Sequence, residues 1–191
     1  KAALATRSVS FDGTTVALSQ TFQYSTTWPS CNSTRWSTKQ TTVTSTYATT
    51  RDLSHGQTET IVYNYLPLTG GNPPCPANPR VDYDTAVPYE SSVSYKDGSG
   101  TVIATKTENW SSVAAVQSTS TSFNGQPASK TVYSYTNGEQ LAEKDEYDFG
   151  GTTLLRKTVI NYQAFSPTPL FSRTGLFDRP CQQLIYDGGG N

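Results

Sequence analysis

The chain contains few charged residues and no long apolar run. Lysine, arginine, aspartate and glutamate make up 15% of the 191 residues, and the formal net charge is -1. A nucleic-acid interface needs a basic stripe that neutralises phosphates, and the sequence has none. It also lacks a run of roughly 18 apolar residues that would cross a membrane as a helix. The composition therefore predicts that the chain does not bind nucleic acid and does not span a membrane.

Residue types that serve catalysis and metal binding are also scarce. The single histidine, His55, lies in a turn-like stretch, and no Gly-x-Ser-x-Gly elbow accompanies it. Asp82 and Asp84 would share one face of a strand at a spacing that suits a glycosidase pair, but an acidic loop flank explains them more simply. Asp97-Gly98-Ser99-Gly100 lacks the ligand pattern of an EF-hand and is typical of a turn. We predict no catalytic residue, no metal site, no cofactor and no enzymatic activity.

The three cysteines, Cys31, Cys75 and Cys181, do not have the spacing of metal ligands. Cys31 and Cys75 lie beside prolines in loop-like segments, where a disulfide would suit a secreted protein. We predict a Cys31–Cys75 disulfide with Cys181 joined to neither, and three unpaired thiols are the alternative. The chain has no methionine and begins with Lys1, which suggests a processed product or a piece of a longer polypeptide.

Threonine and tyrosine are the residues that the chain has in abundance. Only 34% of the residues are hydrophobic, but 30 are threonine and 12 are tyrosine. Both types suit a pleated, half-buried surface. Disordered chains are poor in aromatic residues, whereas aromatic residues are 12% of this chain. The composition therefore favours a folded β protein, and its low charge favours an extracellular or cell-surface location.

Strand-like runs follow one another at short intervals, with turn signals such as Asp12-Gly13 and Asn124-Gly125 between them. Residues 141–146 include helix formers, but they lie between two turn signals and are predicted as a strand, with a short helix as the alternative. The pattern predicts an all-β fold, in which repetitive antiparallel hairpins form an extended or coiled sheet. The predicted strands cover residues 7–11, 16–24, 41–50, 58–65, 90–95, 101–109, 112–123, 129–135, 140–148, 154–162, 176–178 and 183–186.

A proline- and glycine-rich excursion separates the two halves of the chain. Residues 66–88 contain six prolines and the pair Gly70-Gly71. Loops longer than about 15 residues are uncommon inside compact domains. We predict an N-terminal hairpin region over residues 1–65, the excursion over 66–88 and a C-terminal region over 89–191. One continuous sheet, with the excursion at its edge, is the simpler alternative.

A tyrosine–aspartate–glycine motif recurs in the C-terminal region. It occurs as Tyr147-Asp148-Phe149-Gly150 and again as Tyr186-Asp187-Gly188, with Leu154-Leu155-Arg156 following the first copy. An aromatic strand end, a turn-forming aspartate and a glycine are typical of the step from one hairpin strand to the next. In these residues the chain resembles the YD-repeat (Rhs) proteins, most closely over residues 130–191.

The resemblance implies a β-ribbon that coils into the wall of a shell or a stalk, secreted or displayed on a bacterial surface. We therefore expect a non-enzymatic structural segment that pairs strands with neighbouring repeats or identical subunits, in a shell wall or an extracellular fibre. The alternative is a carbohydrate-binding or adhesin module, in which exposed tryptophans stack on a glycan. Its candidate side chains are Trp28, Trp36 and Trp110.

Overall fold

The computed structural model describes residues 3–28, 36–48, 58–67, 88–111, 114–136, 140–162 and 180–190. All eleven strands of this part form one sheet, and each strand pairs with its neighbours in chain order. Every pairing is antiparallel. The strands are β1 (Thr6–Ser10), β2 (Val16–Thr27), β3 (Thr38–Tyr47), β4 (Thr58–Pro67), β5 (Pro88–Lys96), β6 (Val102–Trp110), β7 (Val116–Phe123), β8 (Ser129–Tyr135), β9 (Leu141–Tyr147), β10 (Leu154–Tyr162) and β11 (Pro180–Asp187).

The all-β prediction is confirmed, and most strand bounds agree to within three residues. The ambiguous segment at 141–146 is strand β9, because it pairs with β8 on one side and β10 on the other. The predicted strand at 112–123 begins later, at Val116. Ala114 has φ 64 and its amide donates to the carbonyl of Ser111, so the chain is not extended at Ala114, and residues 112–113 lie outside the described part. The predicted strand at 176–178 lies outside the described residues.

Strands on both sides of the proline-rich excursion belong to the same sheet. Leu66 and Pro67 end β4, Pro88 begins β5, and the two prolines are cross-strand partners. Residues 68–87 lie outside the described part of the chain. The pairing of β4 with β5 makes the sheet continuous from the N-terminal to the C-terminal strands.

One face of β2–β7 contains a row of aromatic and aliphatic side chains. Cross-strand partners share a face of a sheet, and the register places one apolar row across six strands. The row consists of Phe22, Val43, Ile61, Tyr95, Ala104 and Phe123. Tyr63 and Val93 are cross-strand partners in the neighbouring row of the same face. We call this surface the aromatic face.

The opposite face of β2–β7 consists mainly of hydroxyl and amide side chains, and we call it the hydroxyl face. Alternation along the strands produces it, because residues i and i+2 point to the same side. On β3 this face contains Thr42, Thr44 and Thr46, whose partners on β4 are Val62, Thr60 and Thr58. Most threonines of β3 and β4 therefore lie on this face.

The buried core of this sheet is small. The described hydrophobic side chains that are buried are Trp36, Val43 and Val93, with exposed fractions of 1%, 8% and 2%. The ring of Trp36 lies under the ammonium group of Lys39, 4.6 Å from the ring centroid. Large apolar side chains such as Phe123 and Ile185 are 50% and 60% exposed. Within the described residues, no helix has the length and apolar character that a membrane crossing requires.

Candidate functional site

The first copy of the tyrosine–aspartate–glycine motif forms the turn between β9 and β10. Tyr147 ends β9, and the amide of Asp148 donates to the carbonyl of Thr153 at 3.0 Å. The Asp148 carboxylate accepts the amide of Thr153 at 3.2 Å. Gly150 has φ 119, and its amide donates to the carbonyl of Ala128 beside β8. The motif thus reverses the chain and also ties the turn to the neighbouring strand.

The second copy forms a similar turn after β11. The carbonyl of Asp187 accepts the amide of Gly190, and its carboxylate accepts the amide of Gly189, both at 3.0 Å. Gly188 packs against the start of β10, where a β-carbon would lie 1.9 Å from the carbonyl oxygen of Leu154. Only glycine fits this contact without a shift of the backbone.

A third turn, between β5 and β6, repeats the arrangement at Asp97. The carbonyl of Asp97 accepts the amide of Gly100, and its carboxylate accepts the amides of Ser99 and Thr101. These bonds, with the hydroxyl of Ser99 as the largest cause, lower the pKa of Asp97. Gly98 lies against Thr58 at the start of β4. The same turn chemistry thus recurs beyond the two copies that carry the full motif.

Amide and hydroxyl side chains form a hydrogen-bonded ladder across the hydroxyl face. Asn64 on β4 accepts a bond from Gln40 at 2.9 Å and donates one to Ser92 at 3.0 Å. Farther along the same row, Thr107 and Ser120 share a hydrogen bond of 2.5 Å. The ladder joins neighbouring strands at positions where hydrophobic packing is absent. Sequence reasoning missed it, although the Thr/Ser/Asn/Gln alternation of these strands was the available signal.

Charged side chains form a second set of cross-strand contacts on β9 and β10. Glu146 accepts hydrogen bonds from Arg156 and Lys144, and these cations lower its pKa to about 2. On the other face, Lys157 lies 2.7 Å from Glu143 and 3.8 Å from Asp145. Burial and the neighbouring Glu143 raise the pKa of Asp145. Arg156 and Lys157 of β10 lie opposite Glu146 and Asp145 of β9, as in a structural ion-pair network.

The two edges of the sheet differ in length and in chemistry. β1 is five residues long, carries Arg7 and has a register shift between Val9 and Ser10. β11 is eight residues long, has no charged residue before Asp187, and also has a register shift, next to Pro180. In the described part of the chain, β1 pairs with β2 alone and β11 pairs with β10 alone. Unpaired strand edges are templates for pairing with another chain, so these two strands are the candidate assembly sites.

The predicted cysteine and carboxylate sites fall mostly outside the described residues. Cys31, Cys75, His55, Asp82 and Asp84 all lie there. Cys181 is described as an exposed free thiol, and its Sγ donates to the carbonyl of Asn161 at 3.1 Å. Within the described ranges, His, Cys, Asp and Glu side chains form no group that could hold a metal ion.

Two of the three tryptophans, Trp36 and Trp110, are buried or make contacts within the protein. Trp36 is 1% exposed. Trp110 donates its indole N–H to the carbonyl of Glu90, and its ring lies 5.6 Å from that of Tyr89. Trp28, which directly follows β2, is 44% exposed to solvent.

Comparison of the chain with protein-family models and with curated proteins finds no match.

Proposed function

We propose that this chain is a non-enzymatic structural segment that builds an extended β-sheet wall or fibre. Its contribution would be mechanical, since a ribbon of paired strands supplies a continuous surface. We place it outside the cell or on a bacterial cell surface, as the resemblance to YD-repeat proteins implies. Neighbouring repeats or identical subunits would be its partners.

The observation that carries this proposal is the single sheet that the described residues form, with eleven consecutive strands of which the first and the last each pair on one side within that part of the chain. A domain normally buries one sheet face against a second layer around a hydrophobic core. Here three described hydrophobic side chains are buried. Such a sheet gains more from further strand pairing than a closed barrel would, because a barrel has no free edge.

The recurring turns give the proposal its repeat character. Asp97, Asp148 and Asp187 each accept a backbone amide through the main-chain carbonyl and another through the carboxylate. All three lie at the C-terminal ends of odd-numbered strands, so their turns lie on the same side of the ribbon, where the odd-numbered strands end. Repetition of one turn along that side supports growth by addition of similar hairpin units.

Electron microscopy of the purified full chain tests the proposal. We expect fibres, sheets or shell fragments whose abundance rises with protein concentration. A uniform population of compact monomers at every concentration would contradict the assembly role. Wild-type protein that also hydrolysed a polysaccharide, with loss of activity in both Asp82→Asn and Asp84→Asn, would contradict the absence of enzymatic activity.

A further inference from the structure

We propose that one side of the ribbon docks on the surface of a zwitterionic phospholipid bilayer. This inference goes beyond the proposed function and does not depend on it, because its residues lie between β5 and β10 and involve neither end of the chain. Five apolar side chains at three neighbouring turns form the contact, and we call them the apolar rim. They are Val102 and Ile103 after the β5–β6 turn, Phe123 before the β7–β8 turn, and Phe149 and Leu155 at the β9–β10 turn.

All five side chains of the apolar rim are exposed to solvent. Phe149, Leu155 and Phe123 are 61%, 55% and 50% exposed, and Val102 and Ile103 are each 43% exposed. Because neighbouring strands alternate in direction, the turns after β5, β7 and β9 lie on the same side of the ribbon. Turns two strands apart are separated by roughly 10 Å, so the rim extends over roughly 20 Å.

Backbone hydrogen bonds hold these turns against the neighbouring strands. The amide of Asn124 donates to the carbonyl of Ile103 at 2.9 Å, and the amide of Gly150 donates to the carbonyl of Ala128 at 2.9 Å. Left-handed backbone at Asn124, with φ 47, and at Gly151, with φ 66, fixes the path of two of the turns. The rim side chains are therefore attached to a fixed backbone, and docking does not have to order the turns first.

The size of the apolar rim favours a lipid surface over a second protein. The five side chains together expose about 400 Å², judged from the area that apolar and aromatic side chains bury. A stable protein interface buries roughly 800 Å² on each partner, which the rim does not supply. Exposed side chains at turns project from the ribbon, and a fluid bilayer accepts projections without pockets of matching shape. Such side chains bind by burial at the boundary between headgroups and acyl chains.

The charges beside the apolar rim suit a zwitterionic headgroup. Within the described part of the chain, Lys96 and Lys130 form no ion pair, so their ammonium groups are available to lipid phosphate while their stems lie on apolar surface. Equal numbers of the two charges give no net attraction to an anionic membrane. These side chains are Lys96, Lys130 and Arg156 against Asp97, Asp148 and Glu146.

Flotation with phosphatidylcholine vesicles in a density gradient tests the inference, because protein assemblies without lipid sediment instead. We expect the purified full chain to float with the vesicles, with little change at higher salt, since the contact is mainly apolar. Phe123→Ser/Phe149→Ser should weaken the partition about tenfold or more, because it removes the two largest side chains of the rim. Circular dichroism checks that the variant keeps its β structure.

Leu4→Ser/Leu66→Ser is the matched control. Leu4 and Leu66 are 53% and 37% exposed, and they lie on the opposite side of the ribbon, before β1 and near the end of β4. The control also removes two exposed apolar side chains, and it should leave vesicle binding unchanged. In a second readout, bilayers with brominated acyl chains should quench the fluorescence of Phe149→Trp more than that of the wild type. Leu66→Trp should show no such gain.

Each other outcome overturns the inference in a recognisable way. Vesicle binding that survives in Phe123→Ser/Phe149→Ser, or that the control loses equally, would overturn the assignment to the apolar rim. Binding to phosphatidylglycerol vesicles alone, with a steep loss in salt, would show a contact made by charge instead. A wild type that ignores vesicles but forms a dimer that the serine variant disrupts would make a second copy the occupant.

A wild type that neither binds vesicles nor forms such a dimer would overturn the inference outright. None of these outcomes affects the fibres or sheets that we expect in electron micrographs of the protein without lipid. Failure of the lipid contact and failure of the proposed function are therefore distinguishable.

Discussion

Gly188 lies so close to the carbonyl of Leu154 that a β-carbon at position 188 would be 1.9 Å from that oxygen. This contact holds the last turn of the described chain against the start of β10. Gly190, two residues later, has φ +83 but nothing within 4 Å of a β-carbon. The two glycines of the same turn are therefore required for different reasons, one by space and the other by backbone conformation.

We predict that Gly188→Ala detaches β11 from the sheet, whereas Gly190→Ala costs only about 1 kcal/mol because of its left-handed backbone. The cost of the first substitution is limited to the free energy that holds the terminal strand, since local unfolding relieves the clash. Hydrogen exchange should show loss of amide protection over β11 in Gly188→Ala, with protection of β4–β6 unchanged. Equal protection of β11 in the two variants would contradict the packing role of Gly188.

Asn64 is the centre of the side-chain ladder on the hydroxyl face, bonded to Gln40 and Ser92. Asn64→Ala removes both bonds, and we expect a loss of about 1–2 kcal/mol in the free energy of unfolding. Thr21→Ala, an exposed position on the same face, is the control and should change it by less than about 0.5 kcal/mol. Chemical denaturation measures both. Equal effects in the two variants would show that the ladder adds no stability.

Glu146 makes stability depend on pH in the acid range. Its pKa is lowered from an ordinary value of 4.5 to about 2 in the folded protein by bonds from Arg156 and Lys144. A depressed folded-state pKa gives stability that is present above the unfolded pKa and is lost as the pH falls towards the folded value. The difference in unfolding free energy between wild type and Glu146→Gln should therefore be largest above pH 5 and shrink towards pH 2. A difference that is constant over this range would contradict the ion-pair role.

The strands could be predicted from the sequence because their signals are local. Alternating threonine and aromatic residues fix the strand type, and Asn124-Gly125, with φ 47 and 72, forms the predicted hairpin turn. The lateral contacts could not be predicted, because Asn64 and Ser92 are 28 residues apart. Their meeting depends on the register of β4 with β5, which includes a shift after Asn64. The candidate assembly edges follow from strand order, which a single sequence indicates only weakly.

The predicted Cys31–Cys75 disulfide lies outside the described residues and stays a prediction. It would close a loop of about 45 residues, and the chain-entropy account gives about 4 kcal/mol of stabilisation before any strain. A sheet with a small core gains much from such a crosslink. Peptide mapping of unreduced protein should find Cys31 joined to Cys75. A peptide that joins either of them to Cys181, or three free thiols, would contradict the assignment.

Hydrogen exchange of the wild-type chain as a function of its concentration tests edge assembly most directly. The account predicts that amides of the edge strands β1 or β11 exchange more slowly as assemblies form, because an added strand supplies hydrogen-bond acceptors along a sheet edge. Amides in the central strands β4–β6 should exchange at a constant rate. Edge amides that exchange equally fast at every concentration, in samples where assemblies are present, would contradict assembly through the sheet edges.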